Sequence, residues 1–325
     1  MKIRHLDLED VTVNPEHAAL GIPPIEYEVT HAGDHPVMKL VGWLVLSMLF
    51  ALFSYFLYRI FGGNGVAGGV GLIQDALNDP MFWTALAVGL IAQVVDGALG
   101  MAYGITSTSF LLALGAPPAM ASGATHLAEV FTTGVSGVSH LRLGNVCRKL
   151  FLSLLIPGIL GALIGTYVLT SIDGNALKPF IALYLLAMGI YVFSKAFRHH
   201  RSKSEIDTRK VAPLALFGGF MDTTGGGGWG PIVTTSLVSA GHDPRTTIGS
   251  VNLAEFFLTI STAIAFFAIL DHTVWLLVAG LAVGGLFAAP FAAFVTKQLK
   301  TKTLLMLVGG LISLICLFNI YKALA

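Results

Sequence analysis

The sequence predicts an all-α polytopic membrane protein, an inverted repeat in which each half is a re-entrant helical hairpin plus three transmembrane helices, with one extra N-terminal transmembrane helix. Three observations carry that prediction. Apolar residues fill 55% of the 325 positions and charged residues only 11%, against roughly a quarter charged in a soluble domain. Stretches 40–58, 151–171, 180–194, 273–296 and 303–321 hold no charge, and each is near or above the ~20 helical residues that cross ~30 Å of hydrocarbon. Finally, sliding the chain on itself by 126 residues lays 96–133 on 222–259 without a gap, with 13 of 38 positions identical. The matches extend beyond glycine and leucine: Asp96 falls on Asp222, Gly100 on Gly226, Gly104 on Gly230, Pro118 on Pro244, and Leu-Ala-Glu 127–129 on 253–255.

In chain order, residues 1–39 form a polar tail with Pro15, Pro23, Pro24 and Pro36, and no basic start leads into an apolar core, so no cleavable signal peptide is expected. Residues 40–60 form the extra transmembrane helix. The glycine-rich connector from Phe61, FGGNGVAGGVG, is expected to be a flexible loop. The first transport repeat covers 82–197 and the second, inverted transport repeat covers 211–323.

Basic residues set the orientation. Loops 140–150, 198–212, 241–247 and 297–302 hold twelve Lys and Arg residues, whereas 61–81, 116–121, 171–178 and 270–272 hold one, Lys178. The first set is therefore expected in the cytoplasm; Arg59 and Lys322, at span ends, point the other way. The N-terminus is then cytoplasmic and the C-terminus periplasmic or extracellular. The span around 121–139 runs inward and its partner around 247–270 runs outward, so the halves are inverted, a frequent plan in secondary transporters. The same parity makes 81–115 a hairpin entering from outside and 211–241 a hairpin entering from inside.

The tip of the second hairpin reads Asp222-Thr-Thr-Gly-Gly-Gly-Gly-Trp-Gly-Pro231. Non-helical backbone is tolerated at membrane depth only where protein or water satisfies its N–H and C=O groups, so this stretch is expected to line an internal cavity. Glycine permits left-handed dihedrals and close approach of a ligand to the main chain. Pro231 suits the first turn of a helix. The second arm thus begins near Gly230 with free N–H groups and a positive dipole end, which together favour an anion. Gly104 marks the matching start in the first half. The other reading is that these glycines only allow close helix packing, as Gly161/Gly165 and Gly280/Gly284 are expected to do.

Away from segment ends, the ionisable residues in the predicted membrane segments are Asp96, His126, Glu129, Asp222 and Glu255. Intramembrane acids are functional candidates because burying them is costly. Asp96 and Asp222 can instead accept hydrogen bonds from tip N–H groups and hold the break in shape. Glu129 and Glu255 follow His126 and Asn252 by three residues, on the same helix face, and can either carry a proton with the substrate or bond the glycine loops. His126 can contact an anion or act as a polar packing residue; Asn252 can donate without charge. Tyr103 and Trp229 flank the second-arm starts and can wall the cavity or pack.

The paired breaks, with the following GATHLAEVFTTGVSG and GSVNLAEFFLTISTA, resemble the TauE/SafE-type sulfite exporter family, the TSUP anion permeases, over about residues 82–322. The resemblance implies transport of sulfur-containing oxyanions such as sulfite, sulfonates or sulfoacetate in the bacterial inner membrane, without a cofactor. It points to the two breaks and to His126 and Asn252. The extra span, the long tail and a first break poorer in glycine depart from the family pattern. With no Lys or Arg in the spans to meet the anion, the expected substrate-binding groups are Tyr103, Gly104, Thr108, His126, Thr223, Thr224, Gly226, Gly227, Gly228, Trp229, Gly230 and Asn252. Asp96, Glu129, Asp222 and Glu255 serve proton coupling or site shaping.

A net charge of +1 with no basic stripe argues against nucleic-acid partners. Cys147 and Cys316 lie far apart without metal-ligand spacing, so no metal site is expected. A passive anion channel is the main alternative. A metal-ion carrier lacks clustered intramembrane ligands, and an intramembrane hydrolase built on Ser107 or Ser109 with His126 lacks a nucleophile on a turn beside a base.

Overall fold

The computed structural model describes residues 35–62, 65–99, 101–195, 197, 208–269, 274–298 and 301–324. Among these the regular structure is entirely helical. The expected tail 1–39 falls almost wholly outside the described residues.

Helix α1 (Pro36–Phe61) starts on a proline, with the His35 ring accepting from Val37 N–H. It turns Leu40, Trp43 and Phe50 outward, each about 70% exposed, which in a bilayer is the lipid face. Its other face lies on α5 (Pro118–Arg142), through Gly42 against Leu141 and the Phe56 and Phe131 rings 5.9 Å apart.

Helix α2 (Gly65–Asn78) corrects the flexible loop expected from Phe61 onward. The glycines cluster in its first two turns, followed by apolar and helix-favouring residues from Val70 to Leu77. The helical penalty of glycine, about 1 kcal/mol each, is weaker than the demand that a lipid-contacting backbone satisfy its own hydrogen bonds.

The first hairpin is α3 (Pro80–Leu99) and α4 (Tyr103–Ala113). Three helices follow: α5, then α6 (Arg148–Ser171) and α7 (Gly174–Lys195). The second hairpin is α8 (Thr208–Gly225), a π-helical turn (Gly230–Thr234) and α9 (Thr235–Ser239). After it come α10 (Pro244–Ile269), α11 (Val274–Gln298) and α12 (Thr301–Leu324).

The packing partners follow the 126-residue correspondence. The most extensive contacts pair α3 with α11 and α6 with α8; α7 packs on α12 and α5 on α10. Exchanging the halves turns the α3·α11 pair into the α6·α8 pair and returns α7·α12 and α5·α10 to themselves. Glycines make the two cross-half pairs close. A Cβ on Gly89 or Gly284 would strike the main chain of Leu281 or Leu86, and one on Gly161 or Gly219 that of Leu216 or Gly158. Gly161, Gly165, Gly280 and Gly284 are thus packing glycines, as the sequence predicts.

Among the described residues five helices are long and apolar enough to cross a bilayer: Pro36–Phe61, Arg148–Ser171, Gly174–Lys195, Pro244–Ile269 and Leu305–Lys322. Helix α5 is missing from that set although it is central. Its buried face carries Ser122, Thr125, His126, Glu129 and Thr133, so polar residues lower its apolar average where the fold needs them inside.

Candidate functional site

Each hairpin break is closed by a carboxylate seven residues upstream. The Asp96 carboxylate accepts from Tyr103 N–H at 3.3 Å, and that of Asp222 from Trp229 N–H at 2.8 Å. A helix begins with N–H groups that have no partner inside it, and a carboxylate answers both the missing acceptor and the positive dipole end. The two breaks reach this geometry with different residues. Gly226, Gly227 and Gly228 have φ of 72°, 136° and 159°, whereas in the first half the left-handed position falls on Ala102, at 106°.

Where the breaks cross, the main chains of Gly104 and Gly227 meet directly. A Cβ on Gly104 would lie 2.8 Å from Gly227 Cα, one on Gly227 would collide with the Gly104 carbonyl carbon and Ile105 nitrogen, and one on Gly230 would lie 2.9 Å from Met101 Cβ. The second break's carbonyls are satisfied by hydroxyls from the first half. Thr108 donates to the Gly226 carbonyl, Tyr184 to that of Gly227 at 2.9 Å, and Ser122 to that of Thr223 at 2.7 Å. Irregular backbone this deep therefore keeps its hydrogen bonds.

His126 ties the halves together. It is fully buried, with Nδ1 2.8 Å from the Ser122 carbonyl and Nε2 3.0 Å from Asp222 Oδ2. Its counterpart Asn252 makes a different bond, donating to Ser136 Oγ at 3.1 Å.

A cavity of about 180 Å³ lies against the crossing. At roughly 30 Å³ per water, that is room for several waters or one small oxyanion. Of the sequence-derived candidates, Asp96, Tyr103, Gly104, Glu129, Asp222, Gly228, Gly230, Asn252 and Glu255 line it. The others stand behind the wall: His126, Thr108, Gly226 and Gly227 in the contacts above, and Trp229, fully buried, donating from its indole to the Val251 carbonyl at 3.2 Å. Thr223 and Thr224 turn back to the carbonyls of Gly219 and Phe220, one helical turn earlier. Tyr103 keeps its ring in the wall, its hydroxyl donating to the Leu281 carbonyl at 3.2 Å.

Pro231 lines it too, as expected of the stretch it ends; sequence reasoning missed Gln93, Thr132, Thr133, Ser136, His140 and Ile248. Ser136 and His140 follow Glu129 at helical spacing toward the end of α5, so the cavity runs from the crossing toward the end of the molecule that bears loop 143–147. A seven-residue stripe on α5 was the available signal. Among the described residues four carboxyl groups and no Lys or Arg line the cavity. Behind the tips, Lys195 donates to Thr235 Oγ1 and lies 3.3 Å from Met101 Sδ. Among the described residues no group of three or more His, Cys, Asp or Glu is arranged to hold a metal ion.

A sequence model of the sulfite exporter TauE/SafE family matches residues 85–318. A probable membrane transporter protein of Bacillus subtilis, YtnM, is 42% identical over 236 residues, covering 70% of this chain and 79% of YtnM. Another from the same organism, YunE, is 21% identical over 267 residues, covering 74% of this chain and 98% of YunE. A probable membrane transporter protein of a Sinorhizobium species, ORF9, is 29% identical over 164 residues, covering 49% of this chain and 60% of ORF9. No solved structure matches the chain.

Proposed function

The chain belongs to the sulfite exporter TauE/SafE family, and from that membership we propose that it is a secondary transporter of small sulfur-containing anions, of the sulfite, sulfonate and sulfoacetate class, working by alternating access with proton coupling. It is a multi-pass membrane transporter rather than an enzyme. The further reading sets it in the bacterial inner membrane, as two inverted halves that rock about the crossed breaks.

The observation that carries this reading is the pairing of two helix starts with four carboxyl groups around one cavity that lacks Lys and Arg. Helix starts favour an anion. Ionised carboxylates oppose it: two like charges about 5 Å apart repel by about 3 kcal/mol at an effective dielectric of 20. An anion therefore enters on favourable terms only when the carboxylates have taken up protons. Asp96 and Asp222 are committed to the tips by their bonds to Tyr103 and Trp229. Glu129 and Glu255 remain as the proton carriers.

Glu129 supplies the coupling step. Its Oε1 lies beside Gly104, 3.4 Å from where a Cβ of that residue would stand, at the helix start where the substrate would bind. As an anion it occupies the site itself. Protonation removes that charge and leaves the helix start to a substrate oxygen, so proton and anion arrive together. Tyr103, Gly104, Gly228, Gly230 and Asn252 contact the substrate in this scheme, while His126, Thr108, Thr223, Thr224, Gly226, Gly227 and Trp229 hold the crossing behind them. With the cavity reaching toward the basic loops, the conformation is the inward-facing one.

Labelled sulfite flux into proteoliposomes, with and without an imposed pH gradient, tests this. Wild-type flux is expected to saturate and to rise with inward proton movement. Glu129→Gln and Glu255→Gln are expected to lose the gradient response while anion exchange persists. Flux that neither saturates nor responds to the gradient would mark a passive channel.

A further inference from the structure

A second cavity, of about 120 Å³, lies at the other end of the molecule, lined by Leu112, Gly115, Lys178, Ala182, Asn319 and Lys322. Lys178 and Lys322 are two of the three basic residues that break the charge pattern of the loops: one is the single base of an otherwise base-free loop set, the other ends the last helix on that same side. They are 144 positions apart in sequence (322 − 178), and the fold brings both to one cavity. The packing of α7 on α12 thus sets two ammonium groups at one cavity, where charges of like sign repel and a bound anion would offset that repulsion.

We infer that this cavity is a second anion site, separate from the central one, in which the Lys178 and Lys322 ammonium groups hold a small oxyanion. Lys178 Nζ donates to Asn175 Oδ1 at 3.2 Å and Lys322 Nζ to the Ala113 carbonyl at 3.4 Å. Each ammonium has three donor hydrogens, so each keeps hydrogens for a ligand. Among the described residues neither has a carboxylate partner. Asn319 closes the floor. It is 7% exposed, its amide nitrogen donates to the Ser109 carbonyl at 3.1 Å, and its Oδ1 is buried with no donor. That acceptor suits the proton of a hydrogen oxyanion or one of the spare ammonium hydrogens. Gly115, at φ 97°, makes the left-handed turn at the rim, 4.0 Å from Lys322 Nζ when measured from the place a Cβ would take. Leu112 and Ala182 supply an apolar wall that limits water around the bound charge and so strengthens the ion pairs.

The oxyanion is either free in solution or the phosphate of an anionic lipid, and the test separates the two. Wild-type protein and the K178Q/K322Q double variant are reconstituted in nanodiscs of phosphatidylcholine alone, then of phosphatidylcholine with phosphatidylglycerol. Inorganic phosphate and sulfite are titrated calorimetrically in the first, and bound phosphatidylglycerol is counted by native mass spectrometry in the second. The double variant is expected to bind one of these probes at least about ten-fold more weakly, with K178R/K322R near wild type and the melting temperature without ligand unchanged. Loss of phosphate or sulfite binding identifies the free anion, and loss of phosphatidylglycerol the headgroup. Wild-type binding of all three probes by the double variant overturns the inference. Failure of the central site would instead remove the sulfite binding that survives in the double variant, so the two outcomes are distinguishable.

Discussion

His126 Nε2 lies 3.0 Å from Asp222 Oδ2, joining a side chain of the first half to the carboxylate that caps the break of the second. The bond has no mirror image, since Asn252 turns to Ser136 instead of Asp96. His126→Asn, which installs the second half's own residue, is too short to span the gap and leaves one buried Asp222 oxygen unpaired. The expected cost is about 1–3 kcal/mol, read as a lower melting temperature in detergent. Unchanged melting would mean the contact contributes nothing to the native state.

The two capping carboxylates should differ in weight. Asp222 serves two partners, Trp229 N–H and His126, whereas Asp96 serves Tyr103 N–H at the longer distance of 3.3 Å. Asp222→Ala is expected to destabilise by about 1–2 kcal/mol more than Asp96→Ala, and both Asn variants to lie nearer wild type because the amide oxygen still accepts. Equal thermal shifts for the two alanine variants would contradict the ranking.

Ala102 is strained where its counterpart is not. Its φ of 106° is shared by no other non-glycine residue among those described, and position 228 holds glycine. Ala102→Gly is expected to stabilise by about 1 kcal/mol, the left-handed penalty relieved less the extra entropy of the unfolded chain. A rise in melting temperature with flux retained is the predicted result; a fall would show that the alanine methyl packs more usefully than its backbone suffers.

Gly227→Ala should abolish folding or transport, because its Cβ would collide with the main chain of Gly104 and Ile105 at an already left-handed φ. Gly310→Ala is the matched control. A Cβ there meets nothing within 4 Å, and alanine in a helix interior is worth up to about 1 kcal/mol over glycine. Monodisperse expression with flux intact is expected for Gly310→Ala and lost for Gly227→Ala.

How much of this was legible in the sequence depends on which force decided each feature. Length and charge-free runs gave away four of the five long apolar helices, because a bilayer tolerates little else; the fifth, Pro244–Ile269, carries Arg245 and Glu255. The correspondence of Asp96 with Asp222 located both breaks and raised the capping role that the Tyr103 and Trp229 bonds display. Helix α2 was misjudged as a loop because glycine count was weighed without the lipid that forbids an open backbone. Trp229 and Thr223 were grouped with cavity residues by nearness in sequence. Which way a side chain points from a tip depends on dihedrals that four adjacent glycines leave open, and the chain alone does not state them. Gln93, Ser136 and His140 escaped notice because their common cavity depends on how α3, α5 and α10 rotate about their own axes, which tertiary packing sets.

Gly104 and Gly227 meet with no side chain between them. In the proposed carrier the bearing on which the halves turn is thus bare peptide, which offers any small oxyanion the same main-chain groups. The groups that would sense cargo side chain by side chain, among them Gln93, Thr132, Ser136 and Asn252, sit on α3, α5 and α10 beside it. Such a machine can be retuned for a new passenger one side chain at a time without disturbing its axle.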